Sequence, residues 1–424
     1  MFESRSLHRR RFLAGTAAGA IGAASSVSCV SAARAQAPAG DAVKPEAKPE
    51  AKLEAKLEAK PLPGYVAWKD PNAFIVHSNQ TVETKRGLVG SGVVTPINRL
   101  FIRNNVNPPP DSIVADRDAW RVEIAGVAGP RTLTLAELKR MGLASVATVL
   151  QCSGNGRKYM QDALQPGQKI SGTPWTVGAA GCVIWSGVPL KAVVEALGGP
   201  VAGAKFVTGT GGEELPAGLK PKDVIVERSV PIATLDTVLL AWEMNGEPIP
   251  LAHGGPLRMI VPGYSGVNNI KYVKTVALTE AETDAKIQAA SYRMHGVGEK
   301  AGPAQPSIWE QPVRSWITAP LEGGAAGRVL VTGVAFGGTN AVARVEVSAD
   351  GGRTWTDAPF VGPDLGRYAW RLFALPLDLP AGTHVLVSRA TDAAGTVQPE
   401  DTAPNGGGYS YNGWRGPAVT LRTA

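Results

Sequence analysis

The chain has 424 residues, 44% hydrophobic and 19% charged, with 43 Lys+Arg against 36 Asp+Glu. That length supports ordinary hydrophobic cores in two domains without disulfide help. Setting aside residues 1–35, which hold five arginines and one glutamate, lowers the formal charge from +7 to +3. No basic stripe remains, which argues against a nucleic-acid partner.

Residues 1–35 read as an export signal. Arg9-Arg10-Arg11-Phe12-Leu13 opens it, an Ala/Gly-rich apolar run follows, and Ala33-Arg34-Ala35 offers a small-x-small cleavage site. The arginine pair with Phe12 and Leu13 is of twin-arginine type, which implies a periplasmic protein exported already folded. A run of roughly 17 residues is marginal for a bilayer core about 30 Å thick, so no membrane span is expected in the mature chain. Residues 36–62 repeat a Lys/Glu/Ala/Pro theme, as in Glu46-Ala47-Lys48-Pro49-Glu50-Ala51-Lys52. They read as a spacer with no apolar face to bury.

Residues 63–303 alternate short strands, helices and Gly/Pro turns, an α+β pattern. Thr134 and Glu137 are placed for a capping box at the start of a helix. Residues 188–197 read as a second helix closed by Gly198-Gly199, and residues 238–242 and 257–261 as strands. From 304 to 424 the pattern changes to period-2 strands, as at 329–336, 342–348 and 383–390, with a turn at Ala349-Asp350-Gly351-Gly352. That reads as an immunoglobulin-like β-sandwich.

Past the signal two cysteines remain, Cys152 and Cys182. An oxidising compartment could join them. Cys152 alone is either a small buried hydrophobe or a thiolate for a soft metal, since Leu150-Gln151-Cys152-Ser153-Gly154-Asn155-Gly156-Arg157 is a small-residue loop ending in arginine. No Cys-x-x-Cys-His string is present, so no haem is expected on this chain. The five histidines are scattered and none pairs at zinc-ligand spacing.

Taken in order, several strings resemble the sulfite oxidase family of molybdopterin enzymes, closest to haem-free bacterial sulfite dehydrogenases. They are Phe101-Ile102-Arg103-Asn104-Asn105, the Cys152 loop, Trp175-Thr176-Val177-Gly178-Ala179, Trp242-Glu243-Met244-Asn245-Gly246, His253-Gly254-Gly255-Pro256-Leu257-Arg258, Val261-Pro262-Gly263-Tyr264-Ser265-Gly266 and Ile270-Lys271-Tyr272. The β-rich end resembles the family's dimerisation domain through Ala343-Arg344-Val345-Glu346-Val347-Ser348 and Ala390-Thr391-Asp392.

The resemblance implies a molybdopterin-binding domain followed by a homodimerising sandwich. It makes Cys152 the one protein ligand to molybdenum, the pterin supplying the rest. Phe101, Ile102, Arg103, Asn104, Asn105, His253, Arg258, Asn269, Ile270 and Lys271 would hold the cofactor. Arg103 and Arg157 would bind sulfite, with Tyr292 beside them and Trp175 or Trp185 walling the pocket. Electrons would pass singly to an external c-type cytochrome. A molybdenum-dependent reductase of a sulfoxide or oxyanion on the same scaffold is the alternative.

Three departures stand out. Vertebrate members carry histidine where this chain has Asn105, so any pH dependence from that position is expected to be absent. An aspartate expected near Gly209-Thr210-Gly211-Gly212 is missing. The stretch Pro404-Asn405-Gly406-Gly407-Gly408-Tyr409 lacks an expected third arginine; Arg415 is the nearest candidate and Arg371 its competitor.

Overall fold

The computed structural model describes residues 60–424. The expected export signal and the expected spacer up to residue 59 lie outside the described residues. Leu62, assigned to the spacer, packs against a small core of Val66, Phe74, Val82 and Ile102.

Ile102–Arg103 pairs with Thr81–Thr84 in a separate three-stranded sheet, while residues 121–279 build two five-stranded sheets. One runs in the order Glu247–Pro248, Leu239–Met244, Ala180–Pro189, Ala144–Gln151, with Arg258–Ile260 also pairing to Leu239–Met244. The other runs Arg131–Thr134, Arg121–Ala125, Thr275–Thr279, Phe206–Thr210, Glu227–Pro231. Val188, Leu240 and Met259 from the first share a core with Val122, Val207, Val230 and Val276 from the second. The opposite side of the first sheet covers a second core, where Leu150, Trp175, Val183, Trp185 and Leu239 surround Cys152. A strand buried on both sides explains why Ala180–Pro189 reads as a nearly continuous apolar run.

The capping box forms. Thr134 Oγ1 accepts from Glu137 N–H at 3.2 Å and the Glu137 carboxylate accepts from Thr134 N–H at 2.8 Å, opening the helix Leu135–Lys139. The second helix starts later than its pattern suggests, at Leu190–Ala196. Val188 and Pro189 stay in the strand because Leu240 and Leu239 pair with them.

In the C-terminal part, Arg314–Ala319, Gly327–Phe336, Arg371–Leu379 and Phe360–Val361 form one antiparallel sheet. Thr356–Asp357, Val342–Ser348, Gly382–Asp392 and Val419–Thr423 form the other. Both sheets contribute to one core, including Val331, Ala335, Val345, Val347, Phe373, Leu386 and Leu421. This strand order is that of an immunoglobulin-type sandwich.

The two parts are welded behind the Cys152 strand. Val149, Ala180 and Cys182 pack with Trp316, Val334, Phe336 and Trp370, and Arg86 donates to the carbonyls of Ile317 and Pro417 at 2.7 and 2.6 Å. None of the described helices is long and apolar enough to cross a membrane.

Candidate active site

Cys152 follows directly on Ala144–Gln151, and its loop is pinned from several directions. Its N–H donates to Ala179 O at 2.9 Å and its carbonyl accepts from Asn155 N–H at 2.9 Å. Asn155 Nδ2 donates to Gln151 Oε1 (2.9 Å), and Asn155 Oδ1 accepts from Ala179 N–H (3.1 Å). Arg314, at the start of the sandwich, donates through Nη1 to Gln151 Oε1 and Asn155 O at 3.1 and 2.9 Å. These bonds fix the backbone that carries the thiol, as a metal-ligand loop requires. Both described cysteines are free, so the disulfide alternative is not realised. Cys182 sits in the apolar weld, where burial pushes its thiol up to about 12. The structure thus separates an inert cysteine from one that lines a cavity.

That cavity is partly open to solvent. Its wall includes Phe101, Arg103, Asn104, Asn105, Cys152, His253, Arg258, Asn269, Lys271 and Tyr292, so most residues named from sequence converge here. Ile102 and Ile270 are fully buried and give the cavity no side chain; they are core.

The charge in this wall is mostly positive: Arg103, Arg258 and Lys271 stand against the single carboxyl of Glu213. Arg258 donates to His253 O at 2.8 Å and to Asn269 O at 3.3 Å, and Lys271 Nζ donates to Asn104 Oδ1 and Ala252 O at 2.6 and 2.7 Å. These acceptors are all neutral. Burial brings Arg258 down to about 10 and holds Lys271 well below the usual lysine range. His253 is likewise held down by burial and then by Lys69, Lys271 and Arg258. Gly254, at φ +100, lets the chain pass Lys271: a Cβ there would lie 2.7 Å from the lysine side chain. His253 Nε2, Ser153 Oγ, Tyr272 Oη and Glu213 Oε2 have no hydrogen-bond partner although buried. An excess of cations, hydrogen-bonded only to neutral oxygens, and unpaired polar atoms around one cavity fit a polar, anionic cofactor. Cys152 is the one soft donor for its metal. Among the described residues no group of three or more His, Cys, Asp or Glu could hold a metal ion.

Glu213 escaped the sequence reading, which registered a missing aspartate. The signal was present two residues past Gly211, in Gly211-Gly212-Glu213. Burial pushes its carboxyl up to about 7, offset in part by Lys271. A raised folded-state pKa gives stability that is complete below 4.5 and is lost as pH rises through 7. Glu213→Gln is therefore expected to stabilise the cofactor-free protein by about 1–3 kcal/mol at pH 8 and by little at pH 5. Urea titrations at the two pH values check this; equal gains at both would exclude Glu213 as the titrating group.

The residues expected to bind substrate divide. Arg103 faces the cavity, with Nη2 bonded to Asn105 Oδ1 at 2.6 Å. Tyr292 also faces it, in a left-handed backbone conformation (φ +48) that is rare for an aromatic residue. Behind its ring, 5.8 Å away, lies the buried guanidinium of Arg228, whose three hydrogen bonds go to neutral oxygens of Asn268, Ile287 and Ile308.

Arg157 is not part of the wall. Its Nε and Nη1 donate to Gly407 O and Thr173 O at 3.0 and 2.8 Å, tying the Cys152 loop to the C-terminal loop. Arg415 is an outright correction: it is exposed and paired with Glu400 and Asp401. Its competitor Arg371 pairs with Asp364 at 2.8 Å. Trp175 and Trp185 are fully buried core residues and do not line the pocket.

Comparison with known proteins agrees with this geometry. Residues 108–287 match the family described as oxidoreductase molybdopterin binding domain, and residues 305–420 the Mo-co oxidoreductase dimerisation domain. Sulfite oxidase of Gallus gallus is 33% identical over 335 residues, spanning 75% of this chain and 70% of that protein. Mitochondrial sulfite oxidase of Homo sapiens is 33% identical over 350 residues, spanning 77% of this chain; the match covers 62% of that protein's length. The crystal structure of the sulfane dehydrogenase SoxCD from Paracoccus pantotrophus superposes with a TM-score of 0.67 at 23% identity, covering 92% of this chain and 96% of that one.

Proposed function

This chain belongs to the sulfite oxidase family of molybdopterin enzymes, and on that premise we propose that it oxidises sulfite to sulfate. One observation carries the reading: a buried thiol on a pinned loop shares a cavity with Arg258 and Lys271, whose hydrogen bonds all go to neutral oxygens, and with Arg103. Cys152 would be the metal's protein ligand, while His253, Arg258 and Lys271 would hold the anionic end of the pterin. Glu213 would accept hydrogen bonds from the pterin's N–H groups. When bound, the molybdenum centre supplies oxygen-atom transfer to sulfite and takes up two electrons.

The chain's own residues bind and orient the anion. Arg103 presents fixed positive charge at the cavity wall, where partial burial strengthens a guanidinium–oxyanion contact. Tyr292 donates its hydroxyl to the substrate and relays a proton between that oxygen and solvent. Arg157 acts one step back, by keeping the loops that carry Cys152 and Gly407 together. Water and sulfite become sulfate, two protons and two electrons.

We assign the electrons to an external c-type cytochrome, taken up one at a time, and the protein to the periplasm as a homodimer formed through the sandwich. Support for the location is the twin-arginine string; support for the dimer is the match to the dimerisation domain. The test is sulfite-dependent reduction of cytochrome c by purified protein, with molybdenum measured on the same sample. Turnover at about one molybdenum per chain is the expected result, since a single thiol lines the cavity. A full metal load with no sulfite turnover, but with reduction of a sulfoxide or oxyanion by a viologen dye, would overturn the reading in favour of a reductase.

A further inference from the structure

Tyr409 has no assignment from sequence, yet its surroundings are specific. Its ring stacks on Tyr292 with centroids 5.0 Å apart and planes at 22°, and the Arg157 guanidinium lies 5.6 Å from the same ring. One tyrosine therefore touches both a residue of the cavity wall and the arginine of the Cys152 loop.

The local sequence is shaped to put the ring there. Asn405 clamps the turn: its Oδ1 accepts from Tyr409 N–H and its Nδ2 donates to Tyr409 O, both at 2.9 Å. Gly406 N–H donates to His295 O and Ser410 N–H to Ser153 O, each at 2.9 Å. Between these anchors, a Cβ on Gly407 would overlap the ring of Tyr409 itself, and one on Gly408 would lie 2.6 Å from Arg157 Cγ. The ring thus fills the space a side chain at 407 would occupy, within the stretch where a third arginine is expected and absent.

We propose that Tyr409 is a positioning residue of the site, its ring holding in place Tyr292 of the cavity wall and Arg157 of the Cys152 loop. The proposal rests on the sulfite reading and deepens it. Tyr292 sits in an unfavourable backbone conformation, and such conformations persist where surrounding contacts over-determine them. The stack supplies one such contact and the Arg228 guanidinium another.

The experiment compares three variants of the molybdenum-loaded holoenzyme. Tyr409→Phe keeps the stack and is expected to hold KM and kcat within about twofold. Tyr409→Leu removes it, raising the sulfite KM about tenfold and lowering kcat/KM about 30-fold, the scale of a small misplacement in a site. Gly407→Ala, which keeps the tyrosine but displaces its ring, is expected to reproduce the Leu result. Sulfate affinity, read by calorimetry on the same samples, should weaken about tenfold for Leu and Ala and stay level for Phe. Equal behaviour of Phe and Leu, or a Leu variant with unchanged KM and sulfate affinity, would overturn the proposal. If wild-type holoenzyme fails to turn over sulfite, the functional reading falls, and sulfate affinity still decides the role of Tyr409.

Discussion

Cys152→Ser is expected to lower sulfite turnover by about 10³-fold or more, ~4 kcal/mol in the barrier, while unfolding stability changes by no more than about 1 kcal/mol. The serine oxygen is a harder donor than thiolate and stays protonated, so the metal loses the ligand suited to it. Little else in the loop should respond. The bonds that shape it run through Gln151, Asn155, Ala179 and Arg314 rather than through the sulfur. Cys182→Ser is the matched control with the opposite signature. Its thiol is buried in the apolar weld between the two parts of the chain, where a hydroxyl costs about 1–3 kcal/mol, yet it lies away from the cavity wall. Turnover per bound molybdenum and the urea midpoint, measured for both variants, separate the roles. Full turnover by Cys152→Ser would remove it as the metal ligand.

What sequence could convey divides along the reach of its signals. The Thr134–Glu137 capping box is legible because both partners lie within one turn. The sandwich is legible because period-2 burial writes itself into strands such as Val342–Ser348. The cavity wall was legible as residue types in familiar strings: Cys152, His253, Arg258 and Lys271 all arrive there. Side-chain direction was not. Arg157 is five residues from Cys152 and a natural anion ligand by type, but two of its guanidinium nitrogens are taken by the carbonyls of Gly407 and Thr173. Those acceptors come from loops that no local pattern brings together. Arg415 could have been set aside earlier, because Glu400 and Asp401 supply nearby acids that hold it in solvent. Tyr409 was hidden for a different reason: its meaning lies in the glycines before it, whose missing side chains make room for its ring.

The same excess of positive charge that marks the site predicts opposite effects from one substitution. Lys271→Met is expected to cut retention of the molybdenum cofactor about 10- to 100-fold, the worth of one charge-assisted hydrogen bond to an anion. In the cofactor-free protein the same change should not destabilise at neutral pH. Burial first, then Arg258 and Arg103, with Glu213 acting against them, holds the folded-state pKa of Lys271 well below the ordinary 10.5. A lysine whose folded pKa is depressed costs stability below 10.5, where the unfolded chain binds the proton that the folded chain sheds, and the cost grows as pH falls toward the folded value. Removing the group cancels that cost, against which stand two lost hydrogen bonds to Asn104 Oδ1 and Ala252 O. The stability of Lys271→Met relative to wild type should therefore rise as pH is lowered from 9 to 6, in the absence of cofactor. Denaturant titrations across that range, beside metal analysis of the loaded protein, test both arms. A variant that keeps its cofactor, or whose relative stability falls toward pH 6, would mean that Lys271 serves the fold rather than an anion. The cavity's positive charge would then need another explanation.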